Sequence, residues 1–190
     1  RLKNRRPSTR RRIYDDEGSP PDFGVDPSSI GEADPATAAR NLVLRRLTRA
    51  PQTRAQLEDA LETKGIPNEV IAQVLDRMTE VGLVDDVEYA AMFVRSRRAS
   101  RGLAPRVLAQ ELRAKGVADD IIVEELSAIA PEDDRALAET LVAKKLGATA
   151  GLDPDARMRR LAGMLMRKGF NPGLAFDVVK QALHADDLID

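Results

Sequence analysis

The chain has 190 residues, 30 Lys plus Arg against 31 Asp plus Glu, one His, no Cys, no Trp and six Tyr plus Phe. Thiolate zinc sites, disulfides and Cys nucleophiles are excluded, and a single imidazole at His184 leaves almost no room for Ser-His-Asp or multi-His constellations. The shortage of rings weighs against sheets that stack bases, and no run approaches the ~18 apolar residues of a membrane span. With no signal-peptide-like apolar segment, the expectation is a soluble cytoplasmic protein with no membrane partner, cofactor or metal.

The near-zero net charge is an average. Residues 1 to 14 hold seven bases and no acid, whereas residues 15 to 35 hold seven acids and no base, together with several Gly and Pro. Neither block can bury enough apolar surface to offset its ordering entropy, so residues 1–35 are expected to form a disordered tail. Two readings of that tail stand side by side: a solvating extension, or a basic arm that touches nucleic acid or an acidic surface.

From Ala36 onward apolar residues recur at spacings of three and four, which predicts an all-α fold. Three segments superpose on their Lys-Gly dipeptides: LEDALETKGIPNEVIAQVL, LAQELRAKGVADDIIVEEL and LAGMLMRKGFNPGLAFDVV, with Gly65, Gly116 and Gly169 spaced 51 and 53 residues apart. A Leu stands eight and four residues before each glycine (Leu57 and Leu61, Leu108 and Leu112, Leu161 and Leu165), and an apolar residue follows it directly (Ile66, Val117, Phe170). Glycine just past a helix adopts the left-handed conformation freely, and the next apolar residue folds back on the last turn. This predicts contacts of Ile66 with Leu61, Val117 with Leu112 and Phe170 with Leu165. The following helices should start near Pro67, Asp119 and Pro172, with Asn171 as a cap.

Each pair of helices is preceded by a third, over residues 37–49, 86–100 and 132–146, and Thr53 with Gln56 has capping-box spacing. The expected organisation is therefore the tail, then three-helix repeats over 36–83, 84–130 and 131–190, the last ending in a short tail. A fifty-residue unit is marginal alone, so the repeats should dock into an elongated, curved array. Gly163, inside a helix of the third repeat, suggests a close helix contact.

The stretch YAAMFVRSRRASRGLAPR, residues 89–106, carries five arginines and no acid. On a helix, Ala90, Phe93, Val94, Arg97 and Arg101 share one sector, while Arg95 and Arg98 point elsewhere. Guanidinium groups there either lay their stems on the core with heads in water or present forked donors to phosphates or carboxylates. Further basic clusters fall at Arg40, Arg45, Arg46, Arg49 and Arg54, and at Arg157, Arg159, Arg160, Arg167 and Lys168. The paired acids Asp85–Asp86, Asp119–Asp120 and Asp133–Asp134 sit at helix starts, where capping explains them without catalysis. No nucleotide-binding Gly-rich loop is present, and an enzyme is not expected.

Residues 53–89 also resemble the paired helices of winged helix-turn-helix regulators. The helix in the recognition position, residues 69–81, offers one cation, Arg77, beside Glu69, Asp76 and Glu80, which would repel phosphates. Direct DNA binding, by such a motif or nonspecifically, stands as the alternative reading.

The series GLVDDVEYAAMFVRSRRASRG followed by LAQELRAKGVADDIIVEEL closely resembles the RecX family, over roughly residues 36–184. The resemblance implies three tandem three-helix units and a non-enzymatic regulator of the recombinase RecA. Such a regulator binds RecA and its filament on single-stranded DNA along the groove, and suppresses ATP hydrolysis, strand exchange and co-protease activity. It implies a monomer with at most weak direct DNA binding. Tyr89, Phe93, Arg97, Arg101 and Lys115 match the family motif. Tyr89, Phe93 and the glycines 65, 116 and 169 are read as structural. The expected filament contacts are Arg95, Arg97, Arg98, Arg101, Arg106, Lys115, Arg157, Arg159, Arg160 and Lys168.

Overall fold

Helix start signals are used at almost every helix of this chain, whose computed structural model describes residues 34–187. Among these residues the elements are α1 (Pro35–Leu47), α2 (Arg54–Glu62), α3 (Asn68–Glu80), α4 (Asp86–Arg101), α5 (Pro105–Arg113), α6 (Asp119–Ser127), α7 (Pro131–Leu146), α8 (Pro154–Arg167) and α9 (Pro172–Asp187), with one 3₁₀ turn over Gly147–Thr149 and no strand. The fold of this part is all-α, in three successive three-helix repeats. α1 begins at Pro35, inside the span expected to be tail, because Asp34 caps it and Pro suits its first turn. The rest of the expected tail, residues 1–33, lies outside the described residues.

Each repeat has its own core. Leu57, Leu61, Ile71 and Leu75 centre the first, Phe93, Leu108, Leu112 and Ile122 the second, and Val142, Leu161, Leu165 and Val178 the third. The six repeated leucines are all buried, and each contributes on the order of 2 kcal/mol by leaving water.

The three Lys-Gly turns share one hydrogen-bond pattern. Ile66, Val117 and Phe170 donate their backbone N–H to the carbonyls of Leu61, Leu112 and Leu165, each at 3.2 Å. Gly65, Gly116 and Gly169 donate to Glu62, Arg113 and Met166, with φ of 72°, 77° and 95°. This is the Schellman arrangement, in which a left-handed glycine lets two otherwise orphaned carbonyls be satisfied. The pairing expected from the sequence is made.

The same turns join the repeats. Thr53, the N-cap of α2, accepts from the N–H of Gln56 and donates its hydroxyl to the carbonyl of Lys115 at 2.6 Å. One repeat later Ala104, the N-cap of α5, donates its N–H to the carbonyl of Lys168 at 2.9 Å. A Cβ on Gly116 would stand 2.3 Å from the Cβ of Ala55, and one on Gly169 would stand 2.9 Å from the backbone N of Val107. The helix starts thus pack directly on the glycines of the next repeat. Asp86 adds to the first joint, accepting from the N–H of Arg54 at 2.9 Å. An acid expected to serve its own helix start caps a helix of the neighbouring repeat instead.

The two ends of the array differ. A Cβ on Gly65 would meet nothing within 4 Å. In the third repeat, α8 starts earlier relative to its glycine, so the position equivalent to Thr53 and Ala104 is Arg157, inside the helix. Gly163 makes no close helix contact: the nearest atom to a Cβ there is Nη1 of Arg167, at 3.4 Å. The expectation of helix packing at Gly163 is replaced by a lane for that side chain.

Thr53→Val removes both the cap and the bond to Lys115 and should lower unfolding free energy by about 1–2 kcal/mol in urea titrations. Thr53→Ser, which keeps the hydroxyl, should fall within about 0.5 kcal/mol of wild type. Equal stability of the Val and Ser variants would contradict this joint.

Candidate functional site

The arginine-rich stretch forms the C-terminal half of α4, with Asp85 capping its start through the N–H groups of Val87 and Glu88. Left-handed Gly102 ends it. Tyr89, Ala90, Phe93 and Val94 face the core, with Tyr89 and Phe93 stacked at 6.1 Å between ring centroids. Both aromatics are therefore core residues.

Beyond this stripe the cations divide into two groups. Arg97 lies over Phe93, Cζ to centroid 4.9 Å, and the ammonium of Lys115 approaches the same ring at 5.6 Å. A ring flanked by two cations holds their positions through its quadrupole while their charges still repel each other. Arg97 and Arg101 share one carboxylate, Glu111 of α5, at 3.3 and 2.9 Å. The Nε of Arg97 is buried without a hydrogen bond, because Glu111 lies off its donor axis. Two guanidinium groups on one carboxylate leave a surplus positive charge. Lys168 joins this group from the third repeat, its ammonium donating to the carbonyl of Arg101. Arg97, Arg101, Lys115 and Lys168 thus gather along the second repeat and its junction with the third, and Arg106 is exposed in the first turn of α5, next to Val107.

The second group is structural. Arg98 turns away and pairs with Asp134 of α7 at 2.5 Å, with both side chains over 80% buried (16% and 19% exposed), linking the second repeat to the third. Arg157 is also buried, bonded to Asp186 of α9 and facing the hydroxyl of Thr149 at 3.5 Å. Both guanidinium groups, expected from the sequence as filament contacts, are thus already paired with carboxylates inside the protein. Arg95 reaches Glu88 only loosely, at 3.8 Å in open solvent. Arg159 is exposed with no carboxylate in ion-pair range among the described residues, and Arg160 lines a cleft between α7 and α8.

Sequence reasoning missed Glu111 as the acid that gathers Arg97 and Arg101. Its spacing from Arg101, ten residues across a turn, carries no helical signature. In the third repeat, Arg135 of α7 is hydrogen-bonded to Asp177 of α9, which holds the arginine pKa above its ordinary value. In α3, the one cation Arg77 is matched by Glu80 at 3.0 Å, and Asp76 binds Arg54 at 2.7 Å. That helix presents no free cation to a phosphate. Among the described residues no three His, Asp or Glu side chains gather where a metal could sit, and no helix is long and apolar enough to cross a membrane.

Fold and site define a helical repeat protein with a group of cations on its second repeat and at the joint with the third. Models of the first, second and third three-helix domains of RecX match residues 39–78, 85–126 and 132–179, in that order. The chain is 46% identical over 175 residues to the regulatory protein RecX of Thermobifida fusca, covering 92% of each chain. It is 48% identical over 175 residues to that of Streptomyces lividans, covering 90% of this chain and 93% of the other. The crystal structure of RecX from Lactobacillus salivarius matches with a TM-score of 0.72 at 23% identity, over 83% of this chain and 99% of that one. The chain belongs to the RecX family.

If Arg98 and Asp134 hold two repeats together, Arg98→Ala should cost about 2 kcal/mol of stability, since a mostly buried carboxylate loses its partner. Arg95→Ala, on the solvated side, should cost under about 0.5 kcal/mol. Urea unfolding of the two variants distinguishes an anchoring arginine from a free one.

Proposed function

We propose that this protein is a non-catalytic cytoplasmic regulator that binds RecA and its filament on single-stranded DNA, lying along the filament groove. Occupying the groove hinders the closure and exchange of protomers and substrates, and so lowers ATP hydrolysis, strand exchange and co-protease activity. Membership of the RecX family carries this reading. The junctional cations Arg97, Arg101, Arg106, Lys115 and Lys168 support it, because a partner with acidic or phosphate-bearing surface can engage them together. The charge pattern of α3 argues against sequence reading by a helix-turn-helix, since Arg77 is already paired.

The test is DNA-dependent ATP hydrolysis by RecA on preformed filaments. Wild-type protein should inhibit it. An Arg101→Gln, Arg106→Gln variant, which leaves the Arg98 anchor intact, should need at least about tenfold more protein for equal inhibition, the equivalent of 1.4 kcal/mol. A wild-type protein without effect on the ATPase would overturn the function. A folded variant as potent as wild type would overturn the assignment to these side chains.

A further inference from the structure

We propose that a cleft between α7 and α8 in the third repeat binds the phosphodiester backbone of a nucleic-acid strand through Lys145, Arg160 and Arg167. The cleft encloses about 250 Å³; Ala148, Leu161 and Met164 form its apolar part, and its charged lining is these three cations with no carboxylate. Ten ion pairs occur among the described residues, and none involves any of the three. Other cations are unpaired as well; what sets these three apart is that they line one cleft from two facing helices.

The backbone brings the charges together. Arg160 and Arg167 are seven residues apart and share a face of α8. Gly163 lies between them without a Cβ, and Nη1 of Arg167 rests 3.4 Å from where one would stand. The Arg167 side chain therefore folds back along α8, toward Arg160. Lys145, in the last turn of α7, supplies the third charge from the facing helix. Three like charges converge with no acid to relieve them, an arrangement that an anion stabilises.

The ligand is a polyanion rather than a free phosphate. The polar group in the wall, the Thr149 hydroxyl, already donates to the carbonyl of Leu146. The remaining donors are long, exposed side chains, which form no fixed cradle for a small anion but gain by releasing counterions from a strand. The scarcity of aromatic residues makes such binding insensitive to sequence.

The experiment is fluorescence anisotropy of a labelled mixed-sequence single-stranded oligonucleotide with the full chain and no recombinase present, so its outcome is independent of the RecA reading. Three fewer phosphate contacts should reduce the slope of log affinity against log salt by about 2 in a Lys145→Gln, Arg160→Gln, Arg167→Gln variant. At low salt its affinity should fall at least tenfold. A charge-matched Arg45→Gln, Arg49→Gln, Lys180→Gln control should stay within about threefold of wild type. An Arg160→Lys, Arg167→Lys variant, which keeps the charge, should retain the slope even if the triple variant melts early. Absence of binding by wild type, or an unchanged slope in the triple variant, would overturn the proposal. So would inorganic phosphate displacing the oligonucleotide better than chloride at equal ionic strength, which would assign the cleft to a small anion.

Discussion

Each repeat is fastened to the next by a helix start set against a left-handed glycine. The Lys-Gly turn ends one helix, satisfies its last carbonyls, and leaves the lysine carbonyl and the bare glycine Cα facing outward. The N-cap of the preceding repeat then donates to that carbonyl, from the hydroxyl of Thr53 in one case and the N–H of Ala104 in the other. Because the glycine has no Cβ, Ala55 and Val107 approach the backbone itself. Three small cores, each marginal alone, gain stability from such contacts as repeats do in other stacked architectures.

The joint also determines which charges remain available. It places Lys115 and Lys168 beside α4, so that Arg97 and Arg101 acquire cationic neighbours from the turns. Glu111 gathers two of the guanidinium groups but neutralises only one charge. Arginines a few residues away are consumed in holding elements together: Arg98 across the second joint, Arg157 and Arg135 against α9. A single basic stretch in the sequence thus separates into anchors and free donors according to which helix faces it.

Much of the fold was legible in the sequence, because its signals are local. The Gly turns, the leucines four and eight residues before them, the Thr53 capping box and the Asn171 cap each depend on neighbours within one or two turns, and each is found. The site was less legible. Periodicity separated Arg97 and Arg101 from Arg98 on the helix, yet nothing local shows that Asp134, 36 residues on, would claim Arg98. Arg157 looked like any member of a basic cluster until α8 proved longer than its counterparts and carried that residue inside. Gly163 suggested a helix contact and instead makes room for Arg167. Long-range pairing of charges is a property of how repeats dock, which a residue pattern does not encode.

The most direct test of the joint compares two glycines of nearly equal backbone geometry, Gly65 at φ 72° and Gly116 at φ 77°. Replacement by Ala costs each about 1–2 kcal/mol for the left-handed conformation. Only at Gly116 does the new methyl meet another repeat, 2.3 Å from the Cβ of Ala55, whereas the space at Gly65 is open. Unfolding free energies of the two variants should therefore differ, with Gly116→Ala less stable than Gly65→Ala by about 1–3 kcal/mol. Equal losses at the two positions would contradict the claim that these turns fasten the repeats.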